Sequence, residues 1–150
     1  MSDRNKTREE LIAELKLKQN RDGGWSLWRL GPWRWSKANP PFEPSEKLDV
    51  TILERSDGYA TGLIVYTLLQ AGVPASDAAL MRATSWLKSN QQEIEVDQYR
   101  WKCWRTPSLN HSHEEAGGSR AGAWERMMMS DLATAFAALA LLSAEQELRR

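Results

Sequence analysis

Gln19-Asn20-Arg21-Asp22-Gly23-Gly24-Trp25 closes one helical pattern and turns the chain out of it. Asn20, Asp22, Gly23 and Gly24 are the residue types a helix stop and a tight turn require, because they tolerate positive φ or bond their own backbone. Gln19 and Trp25 exceed what a turn needs. The first is an amide able to reach backbone groups at a neighbouring helix end, and the second is an indole able to stack beside it.

Outward from this corner the chain reads as helices separated by two long loops. Before it, Leu11, Ile12 and Leu15 lie at helical spacing between charges, and Thr7 with Glu10 forms a capping-box pattern, so residues 7 to 19 are expected to be an amphipathic helix. After it, residues 26 to 55 hold Trp28, Trp33 and Trp35 among Pro32, Pro40, Pro41 and Pro44, a density of proline that excludes a long helix. Ser56 and Asp57 then cap an almost wholly apolar run, Tyr59 to Ala71, which ends at Gly72 and Pro74 and reads as a buried helix. Ser76 or Asp77 opens a third helix with a Leu80, Ala83, Trp86, Leu87 stripe, ending near Gln91. Residues 93 to 129 read as a second long loop, and Ser130-Asp131 as the cap of a last apolar helix, Leu132 to Ala144.

Two copies of one unit emerge. Leu15, Lys16 and Gln19 fall on Leu87, Lys88 and Gln91 at an offset of 72; Ala60-Thr61 and Leu68-Leu69 fall on Ala133-Thr134 and Leu141-Leu142 at an offset of 73. Repeat one spans about 7–72 and repeat two about 76–145 of a single 1–150 domain. The second copy of the corner lacks the glycine, and Asp97 and Trp101 are its nearest counterparts.

Composition limits the function classes. Twenty basic and twenty acidic residues cancel, so no field draws the chain to nucleic acid. Cys103 is the sole cysteine, which excludes an internal disulfide and CxxC chemistry and fits a reducing, cytoplasmic setting. The charged first residues do not form a secretory signal, and no apolar window reaches the ~18 residues of a membrane span.

Glutamine, three residues, glycine, one residue, tryptophan is the repeat signature of the squalene and hopene cyclases, and Gln19, Gly23 and Trp25 resemble it at all three fixed positions. Ser56-Asp57-Gly58-Tyr59-Ala60-Thr61-Gly62-Leu63 and Trp86-Leu87-Lys88-Ser89-Asn90-Gln91 are also similar to the C-terminal repeats of that family. The resemblance implies an all-α fold in which amphipathic outer helices surround apolar inner ones, either as an arc of an α/α-toroid or as a small four-helix assembly. It carries the family's glutamine role to Gln19 and Gln91, and implies that Tyr59, Tyr66, Trp101, Trp104 and Phe136 are the aromatic residues available to an apolar, isoprenoid-like ligand. The family's acid cluster, Asp-x-Asp-Asp, does not occur here, and the aspartate, cysteine and histidine that bind zinc in related prenyltransferases are not assignable. No cofactor is implied.

Two inner helices of an incomplete ring would expose apolar faces. The expectation is therefore a repeat protein without catalysis of its own, which associates with itself, with a larger cyclase-like partner or with an isoprenoid-like ligand. The alternatives are a small terpenoid cyclase or prenyltransferase-like enzyme and a protein–protein adaptor. His111 and His113, beside Glu114 and Glu115, offer metal-ligand types, but a solvated polar loop next to Gly117-Gly118 explains them better. The tryptophans of the first loop are better explained as pins across helix ends than as a cation-stabilising pocket. Asp57 is fully explained as a helix cap, with a general acid as the remote reading.

Overall fold

The computed structural model describes residues 6–31, 50–96, 98–106 and 120–149. Its elements are α1 (Arg8–Leu17), a 3-10 turn (Trp28–Leu30), the single turn α2 (Val50–Leu53), α3 (Gly58–Gln70), α4 (Ala78–Ser89), β1 (Gln92–Val96), β2 (Tyr99–Cys103) and α5 (Arg120–Leu148). The described residues are mostly helical, as the patterning predicts.

Local chemistry fixes the helix ends. At α1, Glu10 N donates to Thr7 Oγ1 at 3.2 Å and Thr7 N donates to Glu10 Oε2 at 2.8 Å, the reciprocal pair of a capping box. Asp57 caps α3 and Asp77 caps α4, each accepting a backbone N–H of the first turn. α3 stops at Gly72, whose φ is +74°; Gly72 N donates to Leu69 O and Val73 N to Leu68 O, while the buried Val73 and Leu68 supply the apolar contact that accompanies this stop.

α3 is the spine of the core. Ala60, Ile64, Val65 and Leu68 are buried in it, and α5 lies along it. The two helices approach closely at Gly62, where a Cβ would sit 2.5 Å from Ala137 N and 2.6 Å from the Phe136 carbonyl carbon. α5 meets this with small residues, since Ala133, Ala137, Ala140 and Ala144 are buried. α4 contributes Leu80, Ala83 and Leu87 to the same cluster, and Ile12 and Leu15 of α1 pack against it.

The second long loop differs from its sequence reading. Its first part is an antiparallel hairpin in which Glu93 faces Lys102, Ile94 faces Trp101 and Glu95 faces Arg100. Glu93 opposite Lys102 is a favourable opposite-charge cross-strand pair, and Arg100 also donates to Glu93 Oε1 at 3.3 Å. Its last part belongs to α5, a 29-residue helix that places Ser130 and Asp131 in its interior instead of at its start. Ser and Asp inside a helix cost less than about 0.7 kcal/mol each, and the Ala-, Met- and Leu-rich segments on both sides favour continuation over a new nucleation.

Candidate functional site

The corner quoted first is the hub of the described structure. Asn20 N donates to Gly24 O at 2.9 Å and Gly23 N to Asn20 O at 3.0 Å, with Gly23 at φ +95°, a conformation strained for any residue with a Cβ. Gln19 spans from the end of α1 to the start of α4: its Nε2 donates to Gly23 O and to Ala79 O, both at 2.8 Å, and its Oε1 accepts from Arg82. Lys16 parallels it, donating to Asp77 at 2.6 Å and holding that carboxyl below its ordinary range. Asp22 accepts from Gly24 N, Ser56 Oγ and the Trp86 indole. Asn20 Nδ2 donates to Glu54 O and Ser56 Oγ.

Trp25 is fully buried in this hub. Its indole donates to Leu15 O in the last turn of α1 at 2.7 Å, and its backbone N donates to Thr61 Oγ1 in α3 at 2.9 Å. The pinning role expected of the loop tryptophans is what Trp25 performs; Trp28 is half-buried in the 3-10 turn, and Trp33 and Trp35 lie outside the described residues.

A second tryptophan makes the same pair of bonds. The Trp104 indole donates to Leu87 O in the last turn of α4 at 2.8 Å, and its backbone N donates to Thr134 Oγ1 in α5 at 3.2 Å. Leu15 and Leu87 are 72 residues apart, and Thr61 and Thr134 are 73 apart. Trp104, not Trp101, therefore makes the bonds that correspond to those of Trp25. Ten residues separate Leu15 from Trp25 and seventeen separate Leu87 from Trp104, and the hairpin fills the longer stretch. Trp101 lies on β2, exposed and 6.5 Å from the Tyr99 ring. Gln91 is exposed just after α4.

Of the aromatic residues assigned to a ligand, Tyr59 and Phe136 meet edge to face at 5.4 Å between α3 and α5, and Tyr66 lies on the same face of α3 as Tyr59, two turns on. Trp104 is committed to the core. An open surface depression of about 520 Å³ lies elsewhere, along α4, lined by Asp22, Met81, Arg82, Ser85, Trp86 and Asn90 among others.

Asp57 is the buried carboxylate of the described structure. Its Oδ1 accepts from Ala60 N and Thr106 Oγ1, both at 2.8 Å, and its Oδ2 accepts from Leu27 N at 2.6 Å. One side chain thus ties the first loop, α3 and the segment after β2. Burial pushes its carboxyl up to about 6, against the opposing pull of the Ala60 and Leu27 amides and the Thr106 hydroxyl. Sequence reasoning found its capping role but not its bonds to Leu27 and Thr106, which no local spacing encodes.

His111 and His113 lie outside the described residues, and among those described no group of three or more histidine, cysteine or acidic side chains is placed to hold a metal. Cys103 is buried at the end of β2. No helix among the described residues is long and apolar enough to cross a membrane. No family model, curated protein or solved structure matches the chain.

Proposed function

We propose that the chain is an α/α-repeat protein of the squalene and hopene cyclase type, without catalysis of its own, whose inner helices α3 and α5 present an apolar face to a partner subunit or an isoprenoid-like ligand. The observation that carries this reading is the doubled corner: two buried indoles, each bonded to the carbonyl of a leucine ending an amphipathic helix, each with its backbone N on a threonine of an apolar helix. Equivalent bonds at equivalent spacing are what a repeated unit produces. The absence of catalysis rests on the missing acid cluster and on Asp57, whose two oxygens are both occupied by donors inside the protein.

The apolar face is α5's. Leu132, Leu139 and Leu142 are 41 to 58% exposed on the side opposite the buried alanines. Binding of a hydrophobic dye to the purified chain, with mass spectrometry of an organic extract, tests the reading. The expected result is dye binding by the unassembled chain, or a co-purified isoprenoid-like hydrocarbon. A monomer that binds no dye and yields an empty extract refutes it.

A further inference from the structure

α4 turns Ala79, Leu80, Ala83 and Leu87 into the core, which leaves Arg82, Ser85, Trp86 and Ser89 on its outward side at i, i+3, i+4 and i+7 spacing. These four line the open depression of about 520 Å³. Ser85 and Ser89 are exposed, and their hydroxyls make no hydrogen bond among the described residues. Thr84, beside them, instead turns its hydroxyl back onto Leu80 O and Met81 O.

The glycine corner fixes the other groups of the depression. The Trp86 indole N–H donates to Asp22 Oδ2 at 3.0 Å, so the half-buried ring is held by its edge. Asp22 Oδ1 accepts from Gly24 N at 3.0 Å and from Ser56 Oγ at 2.7 Å, so the carboxylate in the lining is occupied by donors of the protein itself. Arg82 is seated by the same corner. A Cβ on Gly23 would lie 2.9 Å from Arg82 O and 3.0 Å from Arg82 Cβ, which puts the corner backbone against the root of this side chain, and Arg82 Nη2 donates to Gln19 Oε1. No carboxylate pairs with Arg82 among the described residues, and the rest of its guanidinium donors are open.

A guanidinium held at its root and by one nitrogen, two open hydroxyls on the same side of the helix, a fixed indole and the 58% exposed Met81 are the parts of a site for an anion carried on an apolar body. We infer that this depression binds a small organic carboxylate, whose oxygens accept from Arg82 and from the Ser85 and Ser89 hydroxyls while its flat or aliphatic body lies on Trp86 and Met81. One guanidinium matches one negative charge. A phosphate monoester, at about −2 near neutral pH, would leave about one charge unmatched in a depression that Asp22 also lines. Gln19 is then a positioning residue, setting the guanidinium through its Oε1. The inference stands apart from the repeat reading and from the apolar face of α5, so the failure of either leaves it in place.

The probe is 2-naphthoate, titrated into the nitrogen-15-labelled full chain and followed by NMR at the Trp86 indole N–H, which is identified by its loss in Trp86→Phe. A saturable shift with Kd on the order of 1 mM is expected for a ligand this small. The neutral 2-naphthylmethanol should bind about tenfold more weakly, and 2-naphthyl phosphate no more tightly than the carboxylate. Arg82→Gln should weaken 2-naphthoate about tenfold, whereas Lys88→Gln, which removes an exposed cation of α4 outside the depression, should leave it unchanged. Because Arg82 also bonds Gln19, the double variant Ser85→Ala, Ser89→Ala supplies a second test: these hydroxyls hold nothing within the described protein, so it should keep the wild-type helical spectrum and bind several-fold more weakly. No shift at about 10 mM 2-naphthoate, equal binding of the alcohol, tighter binding of the phosphate, or wild-type affinity in Arg82→Gln or the double variant overturns the assignment.

Discussion

Replacing Trp104 by phenylalanine separates the structural assignment of the second corner from the one suggested by spacing alone. Trp104 is 5% exposed and its indole satisfies Leu87 O, one of the last carbonyls of α4, which have no partner within the helix. Trp104→Phe removes that donor and leaves a buried acceptor unmet, at about 1–3 kcal/mol. The smaller ring leaves a void costing about 1 kcal/mol more. The sum is about 2–4 kcal/mol, or roughly 5–15 °C in Tm for a chain of this length. Trp25→Phe is expected to cost a similar amount, because Trp25 makes the equivalent bond to Leu15 O. Trp101→Phe, at a 58% exposed site on the hairpin, should stay within about 0.5 kcal/mol. Urea denaturation followed by circular dichroism, with the slope held as a check on two-state behaviour, measures all three. If Trp101→Phe destabilises more than Trp104→Phe, the equivalence of Trp25 and Trp104 is wrong and the doubled corner falls with it.

Three further outcomes follow from the same contacts. Thr61→Val and Thr134→Val each strip the acceptor from a buried tryptophan N–H, and each should lower the urea midpoint by an amount equivalent to about 1–3 kcal/mol; a neutral Thr134→Val would show that its 3.2 Å bond contributes nothing. Gly62→Ala gains about 1 kcal/mol of helix propensity but drives a methyl to 2.5 Å from Ala137 N, so a net loss of about 1–3 kcal/mol is expected, and a stabilised variant would mean that α3 and α5 are not in close contact. Burial raises Asp57 to about 6, so the folded state holds a proton that the unfolded state has released between roughly pH 4 and 6, and stability falls as pH rises through that window, by about 3 kcal/mol in all. The difference between wild type and Asp57→Asn isolates this slope from the surface carboxylates; a wild type that gains on the variant with rising pH would show that the Ala60, Leu27 and Thr106 donors outweigh desolvation.

Much of the helical layer was legible because its signals are local. The Thr7–Glu10 box, the Asp57 and Asp77 caps and the Gly72 stop each depend on residues within one turn of the helix end, and each is found where the spacing put it. The hairpin lies within the stretch read as a loop, although Glu-Ile-Glu-Val and Tyr-Arg-Trp-Lys alternate with the period of two that a strand shows. The start of α5 was missed for a different reason. Ser130-Asp131 copies the Ser56-Asp57 cap in residue type, yet a cap acts only where the preceding chain leaves the helix, and Arg120 to Met129 does not. The identity of the second corner tryptophan was not legible at all, because the hairpin changes its distance from Leu87, and only the bonds to Leu87 O and Thr134 Oγ1 recover the equivalence.

That difference in spacing goes with a difference in what the two corners bind. In the first, the turn is short and its polar side chains, Gln19, Asn20 and Asp22, are consumed in tying α1 to α4 and to the segment before α3. At the second, the indole and threonine bonds tie Trp104 to α4 and α5, and a hairpin with Tyr99 and Trp101 exposed stands where the first has a short glycine turn, with Gln91 turned to solvent. The bonds common to both corners are those of an indole to the last turn of one helix and of its backbone N–H to a threonine of another, whereas the glutamine bond that ties one helix end to the start of α4 is made only at the first among the described residues.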